Sequence, residues 1–426
     1  MISEYLQNTE NWIVNHVATI AQTTHSSMFS ALRHSNFRWY FGGQFISISG
    51  SWMQTLAEGW LVFQLTHSEL ALGLVACAGG IPSLFLSPFA GVIVDRFSRR
   101  NILIFTQTIQ MILAFILSAL VFAETVQVWH VVILAFVLGL TKCLDAPARQ
   151  AFIKDMVGRD DMSSGITLNS IMVNGGRVLG PSLAGVLLAG LGAGWCFFVN
   201  GVTFLAVLFS LLMIHEAYRV PGVGSGSPIR QMREGLAFSL RHHSILPLLL
   251  LAAVGSIFAV NTVTLLPAFA DVVLHSPVDG LSLLSAAQGV GAVIAGLLLT
   301  PLVNYFGHGR VVSVMILVWS FSLILLANST QVPVAIFFMI IFGFAFVLFF
   351  VNTNTMIQLE VPDNYRGRVM SLFTLTFLGL TPLSALVIGA LASVIGTPQT
   401  LVITGIINGS LALAILLRWR VVWHIA

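Results

Sequence analysis

The chain carries a dozen apolar runs of roughly 18 to 25 residues each, long enough as helices to cross a hydrocarbon core of about 30 Å. They fall near 41–64, 70–94, 101–123, 128–147, 165–190, 194–214, 245–270, 280–303, 311–328, 332–354, 370–394 and 399–417. Apolar residues occupy all faces of these runs, whereas barrel strands alternate polar with apolar over about ten residues. The expected fold class is therefore all-α, a membrane protein of twelve transmembrane helices. Composition agrees, with 57% of the 426 residues hydrophobic and 8% charged, against about 25% charged in soluble domains.

Cytoplasmic loops retain Lys and Arg during insertion, so the positions of these residues predict orientation. The loops leading from even to odd spans hold Arg96, Arg99 and Arg100, then Arg149, Lys154 and Arg159, then Arg219, Arg230, Arg233 and Arg241, then Arg310, and finally Arg366 and Arg368. The opposite loops carry Glu69, Glu124, Asp271 and Asp279 and no Lys or Arg. This segregation puts both termini, with Arg33, Arg38, Arg418 and Arg420, in the cytoplasm of a cell whose inner membrane holds the chain. The net charge of +3 is then a topology signal, and no nucleic-acid partner is implied. Cys77, Cys143 and Cys196 lie inside spans without CxxC spacing and read as small apolar residues, so neither a disulfide, a metal nor a cofactor is expected.

The longest polar interval, with the flexible stretch Pro221 to Pro228, splits the spans six and six. The expected division is an N-terminal segment 1–38, a six-helix bundle 39–214, a cytoplasmic linker 215–243, a second bundle 244–417 and a tail 418–426. In the linker Ile229, Met232, Leu236 and Leu240 alternate with Arg230, Arg233, Glu234 and Arg241, an amphipathic helix for the membrane face. Leu6, Ile13, Val17 and Ile20 recur at helical spacing in the first segment, which reads equally as an interfacial helix or as a weakly ordered tail. The two halves echo each other: Gly91-x-x-x-Asp95-Arg96 after the second span corresponds to Thr300-x-x-x-Asn304-Tyr305 after the eighth.

Gly91-Val-Ile-Val-Asp95-Arg96-Phe-Ser98-Arg99-Arg100 resembles the cytoplasmic loop signature of the major facilitator superfamily, with Ser98 at the family's usual glycine. Gly91 permits close helix approach, and the resemblance implies that Asp95 latches the two bundles, with Arg96 and Arg149 as partners. Four further segments resemble the branch holding macrolide efflux pumps, the enterobactin exporter and related drug:proton antiporters. These are Gly50 to Gln54, Asp145-Ala-Pro147-Ala-Arg149-Gln150, Arg177-Val-Leu-Gly180-Pro181, and the loop with Gln358, Asp363, Arg366, Gly367, Arg368 and Met370. Gly176-x-x-x-Gly180-Pro181-x-x-x-Gly185 resembles the antiporter signature of the fifth helix, with Ala184 where a glycine is common. It serves as a rocking hinge and leak barrier, or as ordinary close packing.

Charges inside spans are costly and usually face a cavity or a partner. Glu58, Lys142, Asp145 and Arg177 are such charges. Lys142 and Asp145, three apart on one helix, are expected to neutralise each other. Arg177 is too deep to reach the interface and requires a carboxylate, helix carbonyls or an anionic substrate. Because the first, fourth and fifth helices of this fold approach the central cavity, Glu58, Asp145 and Arg177 form a candidate polar cluster, structural or functional, with Glu58 the first choice for proton coupling. Asn200, Asn261, Gln288 and Asn352 read individually as glue between helices, and Phe344, Phe346, Phe349 and Phe350 suit an aromatic-lined cavity or a lipid face.

The function these features imply is secondary export of a small amphipathic molecule, a drug or a siderophore, by alternating access with protons as the coupling ion, by a monomer embedded in lipid. No GxxxxGK[ST] segment is present, so the chain has no ATP-hydrolysing motor of its own. The alternatives are uptake, a lipid-like substrate, or a membrane sensor or scaffold without transport. An enzyme is not expected, because His130, His275, His308 and His424 are scattered.

Overall fold

A computed structural model describes residues 29–158, 160–214 and 228–424. The expected interfacial helix before residue 29, Arg159 and the flexible linker 215–227 lie outside the described residues, as do the side chains of Asp95, Arg230 and Asp363.

The described chain is helical and contains no strand. Six long helices come first: α1 (Ser35–Thr66), α2 (Glu69–Arg96), α3 (Arg99–Phe122), α4 (Val128–Val157), α5 (Met162–Gly190) and α6 (Ala193–Met213). The short amphipathic α7 (Pro228–Arg241) follows. The seventh apolar run is broken into α8 (Ile245–Phe258), α9 (Thr262–Ala268) and a π turn at Phe269–Val273. Then come α10 (Asp279–Phe306), α11 (His308–Ala327) and α12 (Val332–Glu360). The eleventh run comprises α13 (Asp363–Thr374), a π turn at Leu375–Gly379 and α14 (Leu380–Ile395), and α15 (Thr397–Arg418) closes the series.

Among the described residues, eleven helices are long and apolar enough to cross a membrane, where twelve were expected. The exception is α1, whose Gly42, Gly43, Gln44, Ser47, Ser49, Ser51, Gln54 and Glu58 dilute its apolar content. It is nonetheless 32 residues long, about 48 Å at helical rise, and it packs along α5 and α6. Small and polar groups on α1 are what those contacts use. Gln54 accepts from Asn200 Nδ2 at 2.6 Å, and Gly43 lies against Ala206 and Ser210 of α6.

Helix pairing is duplicated. α1 packs on α5 and α6, α2 on α4, and α3 on α4 and α6. Six spans later, α8 packs on α14 and α15, α10 on α12, and α11 on α12 and α15. Close approach sits at equivalent places: a Cβ on Gly139 of α4 would collide with the Gly79 carbonyl of α2, and one on Gly343 of α12 with the Gln288 carbonyl of α10. Without a hydrophobic drive between helices in lipid, such backbone approach supplies dispersion contacts that hold the pairs together.

The two sets meet along α2 with α14 and along α5 with α10. A Cβ on Gly73 would lie 2.5 Å from the Ala385 carbonyl, and one on Gly389 would lie 2.6 Å from that of Glu69. Thr397 Oγ1 also donates to Glu69 Oε1 at 3.2 Å. These contacts gather at the ends joined by the arginine-free loops. Toward the arginine-rich ends Gly91 has open space beside it, so close helix approach is not what that glycine provides here. There α7 docks on α13 instead, through the stacked rings of Phe238 and Tyr365 at 4.4 Å and the Arg368–Glu234 ion pair at 3.0 Å.

Candidate functional site

A cavity of about 320 Å³ lies between the two sets of helices, walled by α1, α2, α4 and α5 on one side and α9 and α10 on the other. Most of the wall is apolar, including Leu56, Val62, Leu72, Val75, Leu138, Val263 and Leu281. Thr55, Thr264, Ser285 and Gln288 supply neutral polar groups, and Glu58, Lys142 and Arg177 supply the charges. Three of the four charges singled out in the sequence thus share one cavity.

Glu58 projects from the last third of α1, and Lys142 from the middle of α4, exposed to the cavity. They form no direct ion pair, but each charge acts on the other across the opening. Asp145 is not a cavity residue. It is buried against α3, where its Oδ1 accepts from Thr106 Oγ1 at 3.1 Å and Gln107 Nε2 at 2.8 Å, and its Oδ2 lies 3.2 Å from Arg149 Nη2. The expected pairing of Lys142 with Asp145 is therefore replaced by Asp145 with Arg149. A three-residue step turns a helix by about 300°, so the two side chains diverge by about 60°. One reaches the cavity and the other reaches α3.

Arg177 finds neither a carboxylate nor a helix carbonyl. Its guanidinium lies over the Trp52 ring at 4.8 Å and near the Phe346 ring at 5.9 Å, and its Nε is buried with no hydrogen-bond partner. Trp52 belongs to α1 and Phe346 to α12, so the cation sits where the two sets meet. None of the α12 phenylalanines is a lining residue of the cavity: Phe346 packs on Trp319 and Phe377, Phe349 on Trp319, and Phe350 on Phe373 and Phe377. Sequence reading missed the Arg177–Phe346 contact because nothing in either segment points to the other.

The arginine-rich ends carry a structural network. Ser98 is the N-cap of α3, its Oγ accepting from Asn101 N, so the departure from glycine supplies a cap. Arg99 bonds Asp155 and the Ala151 carbonyl of α4. Arg100 donates to the Leu211 and Leu212 carbonyls at the C-terminus of α6, where a cation is favoured. Arg96 is exposed, and Arg149, expected to serve Asp95, is held by Asp145. In the corresponding later loop Arg366 Nε donates to the Gln358 carbonyl at 3.1 Å, Arg368 pairs with Glu234, and Gly367 has open space.

The fifth-helix glycines divide by task. Gly176 and Gly180 lie against Ile48, Ser49, Trp52 and Met53 of α1, whereas Gly185 lies against Ser282 of α10 across the junction. Pro181 lines the cavity between them. Asn200, Asn261 and Asn352 bond neighbouring helices through Gln54, the Thr381 carbonyl and His308, as glue, while Gln288 faces the cavity.

This arrangement of duplicated helices around a central amphipathic cavity matches known transporters. Residues 26–423 match the family described as transmembrane secretion effector, of the major facilitator superfamily. The chain belongs to this family. The staphyloferrin A transporter of Staphylococcus aureus (strain NCTC 8325 / PS 47) is 27% identical over 87% of this chain and 92% of that protein. Macrolide efflux protein A of Streptococcus pyogenes is 24% identical over 78% of this chain and 83% of that protein. The crystal structure of the nucleoside transporter NupG shares the fold, with a TM-score of 0.73 at 14% identity over 91% of this chain and 99% of that one. The protein is a multi-pass membrane protein and a secondary transporter of small molecules, not an enzyme.

Proposed function

We propose that the protein exports a small amphipathic compound, a siderophore or a drug, across the inner membrane by proton-coupled alternating access. Two bundles, residues 39–214 and 244–417, rock about the cavity, with α1 as the twelfth span and both termini cytoplasmic. The observation that carries this reading is the cavity itself: an apolar chamber between the two helix sets that holds the ionisable side chains Glu58 and Lys142. Similarity to a siderophore transporter and to a macrolide efflux protein supports the substrate class. The segregation of Lys and Arg supports the orientation.

In this mechanism Glu58 is the proton-coupling group. Its carboxylate offsets the Lys142 charge, and proton uptake removes that offset, so the charge of the empty cavity changes with each cycle. The contacts of Gly73, Gly389 and Gly185 close one end. In this reading the end held by those contacts is the exit, and the molecule enters from the cytoplasmic end when the bundles rock apart there.

Everted membrane vesicles test the proposal with a labelled siderophore and a labelled macrolide. Gradient-dependent uptake of either compound by the wild type, abolished by an uncoupler and by Glu58→Gln, is the expected result. Uptake that persists in Glu58→Gln with its gradient dependence intact removes Glu58 as the coupling group, and absence of uptake of both compounds removes the substrate class.

A further inference from the structure

The charges that face the cavity do not balance. Glu58 and Lys142 offset one another, which leaves the Arg177 cation in excess. Among the described residues no acidic side chain pairs with it or accepts a hydrogen bond from it. A charged group inside a membrane protein is normally met by a countercharge or by carbonyls, and a buried donor left unpartnered carries the desolvation penalty of that group. Arg177 is held without either.

What does touch Arg177 leaves a particular part of it free. Trp52 and Phe346 engage the guanidinium as a cation lying over ring faces. An aromatic ring offers no lone pair to the guanidinium N–H groups, so these contacts leave without an acceptor the groups that match a carboxylate with two parallel hydrogen bonds. Arg177 also stands at the head of a polar stripe on α5. Ser163, Thr167, Ser170, Asn174 and Arg177 recur three to four residues apart, hence on one helix face, with Ser163 and Ser170 exposed. The stripe runs from the arginine-rich end of the helix to the cavity.

We propose that the cavity selects an amphipathic anion, receiving its carboxylate on the N–H groups of Arg177 and its apolar body against Leu72, Val75, Val263 and Leu281. This inference rests on the reading that the transported molecule passes through this cavity. The α5 stripe is the lane by which a polar headgroup reaches Arg177 from the cytoplasmic end. A lipophilic cation, the usual cargo of a promiscuous drug pump, meets an uncompensated like charge at the same place and is disfavoured.

Three probes that share a naphthyl body test this directly: 1-naphthylacetate, 1-naphthylacetamide and 2-(1-naphthyl)ethylammonium, each titrated calorimetrically into the full-length protein in nanodiscs. The wild type is expected to bind the carboxylate about tenfold to a hundredfold more tightly than the amide, the range for charge-assisted hydrogen bonds, and the ammonium most weakly. Arg177→Gln is expected to erase the preference for the carboxylate while keeping the affinity for the amide, and Arg177→Lys to restore part of it. A purely structural arginine would instead weaken all three probes together. Because the ranking on the wild type requires no substitution, the test stands even if Arg177→Gln fails to fold. Equal binding of carboxylate and amide, or no binding of either, overturns the inference and leaves the vesicle assay of export untouched. Selective carboxylate binding without gradient-driven transport upholds the inference and overturns the proton-coupled mechanism instead.

Discussion

The Arg149 guanidinium sits 3.2 Å from the Asp145 carboxylate, one turn away on α4, and Thr106 and Gln107 of α3 complete the carboxylate's shell. This places Asp145 in the joint between α3 and α4 rather than in the transport path. Removing Asp145 leaves the buried Thr106 and Gln107 donors without their acceptor and the partly exposed Arg149 without its partner, at a cost of roughly 1 to 3 kcal/mol. Asp145→Ala is therefore expected to lower thermal stability in detergent sharply, while the molecules that fold keep the wild-type KM and gradient dependence. A stable Asp145→Ala protein that has lost coupling would return Asp145 to the transport machinery.

Gly343 of α12 and Gln288 of α10 define the tightest class of helix contact here, since a Cβ on Gly343 would collide with the Gln288 main chain. Backbone cannot step aside as a flexible side chain does. Gly343→Ala is expected to cost at least the 1 to 3 kcal/mol or so typical of overpacking, read as a lower unfolding temperature and reduced yield. Gly91→Ala meets nothing within 4 Å and is expected to unfold at the wild-type temperature. If both variants unfold alike, the crowding at Gly343 does not hold α10 to α12.

The apolar runs made most helices legible, because in lipid a long apolar segment has few alternatives to a helix. Other features depend on partners far along the chain. The break after Phe258 is stabilised where Asn261 donates to the Thr381 carbonyl and Ser256 to that of Phe377, so no local signal in 245–270 marks it. Likewise Lys142 and Asp145 were recognisable as buried charges, but which neighbour each one meets depends on the rotation of α4 between α3 and the cavity. Arg177 was recognisable as a cation needing company. Its second aromatic partner, Phe346, comes from the other half of the chain, and only the assembled fold brings them together.

Gly185 of α5 faces Ser282 of α10, and an added Cβ there would lie 2.7 Å from the serine Cβ and Oγ. This contact joins the two helix sets at the closed end. Gly185→Val is expected to wedge α5 from α10 and to raise the population open at that end. The readout is the rate at which a membrane-impermeant maleimide labels Ser282→Cys, since Cys77, Cys143 and Cys196 are all buried. Faster labelling in the double variant supports Gly185 as a closure contact, and an unchanged rate removes it. Gly180→Val presses on α1 within its own set and is expected to lower stability without changing the labelling rate.

Near the start of the described chain, Ser30 Oγ donates to Asp161 Oδ1 at 2.5 Å and His34 Nε2 lies 2.7 Å from Oδ2, while the Ala31 amide donates to Ser164 Oγ. These bonds clasp the turn at Ser30–Arg33 onto the loop before α5. Hydrogen bonds from Ser30, then from His34, hold the Asp161 carboxyl below its ordinary value of 3.8. A depressed carboxylate stabilises the clasp fully above the unfolded value and loses that contribution as pH falls through the folded one. The clasp is thus expected to be intact at about pH 5 and to open only at a second pH below the ordinary aspartate value. Hydrogen exchange at the Ala31 amide, corrected for its intrinsic rate, reads the opening. Asp161→Asn should exchange fast at both pH values, because its amide cannot accept from Ser30 and His34 as the ionised carboxylate does. Protection that is equal in the two proteins at pH 5 would show that Ser164, rather than Asp161, holds the segment down.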